Sequence, residues 1–257
     1  MSEIWQSDGE LFIIALKRVR SIGREGSYSD DYSVSFFSTL YTTLKLLSGV
    51  TRLRFSILEY VPDSYHTGLQ FCLFPNLREL RLEMQVSTPV LNFVYRNHRS
   101  LKELAFNSPP FDCDDDFPRP INAFPELVNF SGRCTLIPLI VPGAPLQDIC
   151  TDIYSTEDAD SMEDMEYALC ELQRAGAPVD TFDILSDYWS YEFFAYLSEY
   201  VPNVQIIQYR TRDLDGYDSI VSWELLSVSI TLWHMFMVIN KPLMHILRSS
   251  LQSSHRL

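Results

Sequence analysis

Positive charge is in short supply in this chain. Lysine and arginine number 20 against 34 aspartates and glutamates, a formal net charge of −14. A broad nucleic-acid surface needs cations to neutralise phosphates, so no nucleic-acid partner is expected. Paired cysteines are missing too. The five present (Cys72, Cys113, Cys134, Cys150 and Cys170) are odd in number and contain no C-x-x-C pair. That points to buried free thiols in a reducing compartment, cytoplasmic or nuclear. The opening Met1-Ser2-Glu3-Ile4-Trp5-Gln6-Ser7-Asp8 has no basic stretch ahead of an apolar one, so no secretion signal is expected. No hydrophobic run reaches membrane length either. Leu225 to Ile239 is uncharged for 15 residues, between Glu224 and Lys241-Pro242. A span needs about 20, so a terminal helix covering the end of the fold is expected and a membrane segment is not.

Catalytic signatures are absent as well. There is no GxxxxGK[ST], GxGxxG, GxSxG or HExxH, and the five histidines (His66, His98, His234, His245, His255) are scattered. The acidic run Asp112-Cys113-Asp114-Asp115-Asp116 lacks the alternating ligands and glycine of a calcium loop. It reads as a solvated loop. No catalytic, cofactor-binding or metal-binding residue is therefore assigned.

What the chain does have is a repeat. An apolar-x-x-apolar-x-apolar phrase occurs at Val50/Leu53/Phe55, Leu77/Leu80/Leu82, Leu101/Leu104/Phe106 and Leu127/Phe130/Gly132. It returns at Leu146/Ile149/Thr151, Val179/Phe182/Ile184 and Val204/Ile207/Tyr209. Start-to-start spacings are 27, 24, 26, 19, 33 and 25 residues, around the leucine-rich-repeat range. Gly132 and Thr151 are weak fillers of the last position. A proline (Pro75, Pro125, Pro145, Pro178, Pro202) stands one or two residues ahead of five of the seven copies. It stops an incoming helix where a strand must begin. The phrase predicts strands near 52–55, 79–82, 103–106, 148–151, 181–184 and 206–209.

Between the phrases, helical patterns recur. Phe37, Leu40, Leu44 and Leu47 follow one buried face. Ser87 or Thr88 is placed to cap a helix with Pro89 in its first turn and Leu91, Val94 and Tyr95 inward. A helix from about Asp160 to Ala175 turns Met162, Met165, Leu169 and Leu172 inward, with Gly176 as its C-terminal cap. Tyr191 to Tyr200 repeats the scheme through Phe193, Phe194 and Leu197. The expected fold is α/β: a right-handed leucine-rich-repeat solenoid, irregular in its repeats, with a parallel sheet on the concave face and helices on the convex face. Its expected parts are N-terminal capping helices over 1–48, about seven repeats over 49–212, and a capping or non-repeat tail over 213–257.

Residues 35–210 resemble the leucine-rich-repeat portion of F-box-type proteins, particularly the large families of mushroom-forming fungi. Phe74-Pro75-Asn76-Leu77-Arg78-Glu79-Leu80-Arg81-Leu82 is similar to their repeat opening. The run from Ser87 to Leu101 is similar to the helix and re-entry that follow it. The resemblance implies that the repeats recognise a target protein and that an upstream F-box joins a ubiquitin-ligase adaptor. The F-box itself is not seen, with only Glu3-Ile4-Trp5 echoing its opening. The asparagine expected three residues after each phrase is also absent, so no regular asparagine ladder is expected. A non-enzymatic interaction scaffold is the leading reading, with a protein target on the concave face. A free-standing scaffold without ligase recruitment, an incomplete gene product and, remotely, a hydrolytic enzyme stay open beside it.

Strand alternation names the candidate surface. With the second and third apolar positions inward, the columns between them face the concave side. Arg52, Arg54 and Arg81 lie toward the first strands and Asp148, Asp152 and Asp183 toward the fifth and sixth. Leu185 and Ile206 are apolar positions on that same face. Together these eight form the expected partner-binding set, with the acids about 4.8 Å apart on adjacent strands. Glu79, Arg81, Glu103 and Asp183 are expected to be exposed.

Overall fold

A computed structural model describes residues 2–7, 10–15, 30–57, 63–107, 124–153, 160–186, 191–212 and 218–224. The acidic run at 112–116 and the uncharged stretch at 225–239 lie outside the described residues.

Every copy of the phrase, the two weak ones included, becomes a strand. Among the described residues the strands are β1 Ser2–Ser7, β2 Glu10–Ala15, β3 Arg52–Ile57, β4 Glu79–Glu83 and β5 Glu103–Phe106. They continue as β6 Asn129–Arg133, β7 Asp148–Ile153, β8 Thr181–Ser186, β9 Ile206–Arg212 and β10 Asp218–Glu224. All ten join one sheet in which spatial order equals chain order. From β2 to β9 neighbours pair in parallel. At each end the outermost strand is antiparallel, β1 to β2 and β10 to β9.

The N-terminal end differs from the expected outline. Residues 1–48 are not simply capping helices: two strands extend the sheet there, and among the described residues the helix of this segment is α1, Asp30–Leu44. The physical reason lies in Leu11-Phe12-Ile13-Ile14, an aromatic and β-branched run suited to a strand. The expected capping or non-repeat tail over 213–257 holds β10, antiparallel to β9, and its other residues lie outside those described.

The inward columns fill one core. Leu53, Phe55, Leu80, Leu82, Leu104, Phe106, Phe130, Ile149, Phe182, Ile184 and Ile207 are all buried in a single apolar cluster. Each fully buried leucine contributes about 1.5–3 kcal/mol relative to exposure. The first position of each phrase is buried as well, from Val50 to Val204. The prolines do more than end helices. Phe74-Pro75-Asn76-Leu77, Phe124-Pro125-Glu126-Leu127 and Val201-Pro202-Asn203-Val204 are tight turns. In each, the last N–H donates to the first carbonyl at 3.1, 3.4 and 3.3 Å. Proline in second place supplies the φ such a turn requires.

One hydrogen-bonding device then marks six successive junctions. The carbonyl just ahead of a strand accepts two consecutive N–H groups of the next unit. Thr51 O takes Arg78 and Glu79, Arg78 O takes Lys102 and Glu103, and Lys102 O takes Val128 and Asn129. Val128 O takes Gln147 and Asp148, Gln147 O takes Asp180 and Thr181, and Asp180 O takes Gln205 and Ile206. Backbone groups at the strand entries are thereby satisfied in the same way each time.

The connectors supply the other half of the core. They include α1, a 3-10 helix at Asp63–Phe71, α2 at Thr88–Arg96, the one-turn α3 at Ile137–Ile140, α4 at Asp160–Leu172 and α5 at Tyr191–Tyr200. Phe37, Leu40 and Leu44 of α1 are buried as expected, and Tyr41 joins them. In α2 the buried residues are Val90, Leu91, Phe93 and Val94, with Tyr95 half-buried and its hydroxyl donating to Leu139 O at 2.6 Å. Ser87 occupies the cap position, but its hydroxyl makes no cap bond and is buried without a partner. Asn97 carries the join instead. Its Oδ1 accepts from Phe74 N at 2.6 Å, while its Nδ2 donates to Cys72 O and Phe93 O at 3.2 and 2.8 Å.

Gly176 follows α4, as expected of its C-terminal cap, but without a positive φ. Among the described residues the glycine with positive φ is Gly143, at 80°. Gly176 is required by a close approach: a Cβ there would lie 2.8 Å from Gly143 O. Gly143 N donates to Arg174 O and Gly176 N to Ala144 O, both at 2.7 Å, fastening two consecutive connectors.

Candidate functional site: the open face of the sheet

One face of the sheet is packed against the connectors, which leaves the alternate columns as the candidate surface. Register sorts those columns into rows. Arg52, Glu79, Glu103, Asn129, Asp148, Thr181 and Ile206 stand side by side across seven strands. Arg54, Arg81, Ala105, Ser131, Cys150, Asp183 and Gln208 form the row above. A third row aligns Arg133, Asp152, Leu185 and Arg210.

The eight expected residues all fall in these rows, but in two separate groups. Arg52, Arg54 and Arg81 lie on β3 and β4, and the other five on β7 to β9. From β3 to β7 is four strand spacings, about 19 Å. The acids are not direct lateral neighbours. Asp183 sits beside Cys150, so it is diagonal to both Asp148 and Asp152. Diagonal neighbours of this kind lie about 8 Å apart rather than about 4.8 Å.

Electrostatics sharpen the division. Arg52 Nε pairs with Glu79 Oε1 at 2.7 Å, and Arg54 Nη2 with Glu83 Oε1. Arg54 has Arg81 as its direct neighbour in register and turns to the next carboxylate along. The early strands therefore present neutralised pairs rather than a basic field. All three arginines are exposed, and Arg81 is the one with no carboxylate in ion-pair range among the described residues.

At the other end Asp148 is exposed. In the amide orientation that satisfies both of its polar atoms, Asn129 donates to Asp148 Oδ2 at 3.0 Å. Asp183, Leu185 and Ile206 are half-buried. Register also puts Arg133 beside Asp152 and Arg210 beside Leu185, the side chains of Asp152 and Arg210 lying outside those described. The expectation of exposure holds for Arg81 but not for Glu79, Glu103 or Asp183, all half-buried. Dense rows of side chains shield one another even on an open face. Ser56, also in an outward column, is only 3% exposed.

Titratable groups elsewhere face the core. Burial raises Tyr41 well above the usual tyrosine range, and its hydroxyl lies 3.2 Å from His66 Nδ1, itself buried. Burial pushes the Cys72 thiol up to about 11, with nearby Lys45 acting weakly the other way. A thiol held protonated at neutral pH is a poor nucleophile. On the connector side, the Tyr200 hydroxyl donates to Glu166 at 3.1 Å, which pushes the phenol up to about 12. Among the described residues no three His, Cys, Asp or Glu side chains converge on a metal-sized point. No helix among them is long and apolar enough to cross a membrane.

Comparison with known proteins finds no protein family that matches this chain and no curated protein similar to it.

Proposed function

We propose that the chain is a leucine-rich-repeat solenoid of the F-box type and works as a non-enzymatic protein-interaction scaffold in the cytoplasm or nucleus. The observation that carries this reading is the sheet itself. Eight parallel strands follow one another in chain order, one face filled by apolar columns and the other lined by ordered polar rows. Stacked units of this kind use their continuous face to bind other molecules.

The partner is a protein presenting a basic segment. It docks across β7 to β9, where Asp148 and Asp183 supply the field and Leu185 and Ile206 the apolar centre. Recruitment of a ligase adaptor is a separate property of an F-box, and the docking proposed for the repeats does not need it. Glu3-Ile4-Trp5 lie in β1, paired to β2.

Affinity purification of the full chain, scoring target proteins and ligase adaptor subunits together, identifies the partner. Asp148→Lys with Asp183→Lys then weakens binding at least about tenfold and flattens its salt dependence. Glu199→Lys, on the exposed connector side in α5, leaves binding unchanged. Sensitivity to the Glu199 change and indifference to the strand pair would sink the open-face reading.

A further inference from the structure

The opposite side of the molecule carries a second surface. Four large hydrophobic side chains are exposed among the described residues, and three stand at the ends of two connectors that pack on each other. Leu46 is 79% exposed, Phe71 54% and Leu73 57%. Leu46 stands just beyond the C-terminal end of α1, Phe71 closes the 3-10 helix, and Leu73 follows two residues later. These connectors pack consecutively, α1 on the 3-10 helix and that helix on α2.

Two cations converge on the same spot. Lys45 Nζ lies 5.4 Å from the centroid of the Phe71 ring, and Arg96 Cζ, at the end of α2, lies 5.7 Å from it. Neither has a carboxylate in ion-pair range among the described residues. In a chain with 34 acidic and 20 basic residues, that is a conspicuous charge choice. A cation at a helix C-terminus is favourable in itself, which accounts for Lys45 and Arg96 as charges. It does not account for a half-exposed aromatic ring within about 6 Å of both, or for exposed leucines at positions 46 and 73. Cation–π contact orients such a ring at a cost in side-chain freedom.

We propose that Leu46, Phe71 and Leu73, flanked by Lys45 and Arg96, form a docking surface for an acidic segment of a second protein that carries an apolar anchor. The anchor seats on Phe71 between the leucines, and carboxylates on either side meet the two cations. Desolvating an apolar centre inside a charged rim is how small interfaces concentrate their affinity. Charge complementarity decides the partner's sign, and the chain's own charge decides its size. A bilayer of anionic lipid extends far past two cations and meets the surrounding excess of acids, whereas a short segment is confined to the patch. The surface is independent of the open face, because it lies on the connectors.

The test uses the full chain and an array of 15-residue peptides combining leucine, phenylalanine or tryptophan with aspartate or glutamate at varied spacings. Matched peptides carry lysine for the acids or serine for the apolar residues. The expected result is capture of acidic–apolar peptides only. Phe71→Ser weakens capture at least about tenfold, and Lys45→Glu with Arg96→Glu shifts preference to the lysine peptides. Asp148→Lys with Asp183→Lys changes nothing here, so this surface and the open face fail or stand separately. Circular dichroism melts check that each variant folds. Capture of all peptides alike, capture unaltered by both patch variants, binding to phosphatidylserine vesicles in place of peptides, or patch-dependent dimerisation would each overturn the proposal.

Discussion

The units around β3 to β5 and those around β6 and β7 solve the same packing problem in different ways. In the first group both inward positions of every strand are large: Leu53 and Phe55, Leu80 and Leu82, Leu104 and Phe106. In the second, the last inward position shrinks to Gly132 and then to Thr151. The core does not collapse there, because the connector changes with the strand. Directly after β6 the chain enters a 3-10 turn, Cys134–Leu136, and then α3, whose residues are all buried. A Cβ on Gly132 would meet the Phe130 ring at 3.1 Å, Phe106 Cβ at 3.5 Å and Leu136 Cδ1 at 3.6 Å. The space that leucine fills in the regular units is taken here by neighbours and by the incoming connector. A weak copy of a repeat is thus a compensated copy, and the compensation lies in the segment that follows it.

The largest effect that probes this contrast is Leu82→Ala in the regular group. Leu82 is fully buried, so its truncation costs about 2–5 kcal/mol in urea unfolding. Its neighbour Arg81→Ala stays within about 0.5 kcal/mol. Equal effects would show that the inward and outward columns have been exchanged. Next comes Gly132→Leu, which restores the regular phrase where no room exists for it. It destabilises by about 1–3 kcal/mol through overpacking, and a stabilised variant would refute the compensation.

Thr151→Val acts in the opposite direction. The Thr151 hydroxyl is buried without a partner, and removing it stabilises the fold by about 1 kcal/mol. The smallest expected effect is on the open face. A double-mutant cycle on Arg52 and Glu79 yields about 0.2–1 kcal/mol of coupling that fades with added salt, because Arg52 is half exposed. A coupling that survives molar salt would mean a far drier surface than the rows indicate.

How much of this was legible in the sequence follows from the same contrast. A phrase such as Leu77-x-x-Leu80-x-Leu82 carries its own strand, turn and inward face, so β3 to β5 could be read directly. β6 and β7 were readable only by their place in the series, since Gly132 and Thr151 contradict the pattern locally. The end strands β1, β2 and β10 were not read at all: Leu11-Phe12-Ile13-Ile14 has strand composition but no phrase spacing. Proline's position was visible, but its work inside a turn closed by Leu77, Leu127 or Val204 is a backbone property. Asn97 was missed because its three bonds depend on a connector returning past Cys72 and Phe74. On the open face, alternation placed Arg52, Arg54, Arg81, Asp148, Asp183, Leu185 and Ile206 in the outward columns, while the side chain of Asp152 lies outside those described. It could not foresee that Glu79 and Glu83 would occupy Arg52 and Arg54, or that register would set Asp183 diagonal to Asp148 and Asp152.

The ladder of doubly accepting carbonyls, from Thr51 to Asp180, has a kinetic meaning as well. Each rung ties a unit only to the next, and strand neighbours in space are neighbours in the chain. Loop closure at every step spans about one repeat, which keeps contact order low and lets ordering spread outward from whichever unit forms first. Pulled by its two ends, such a chain should come apart rung by rung, the way a zip fastener opens, instead of in a single rupture.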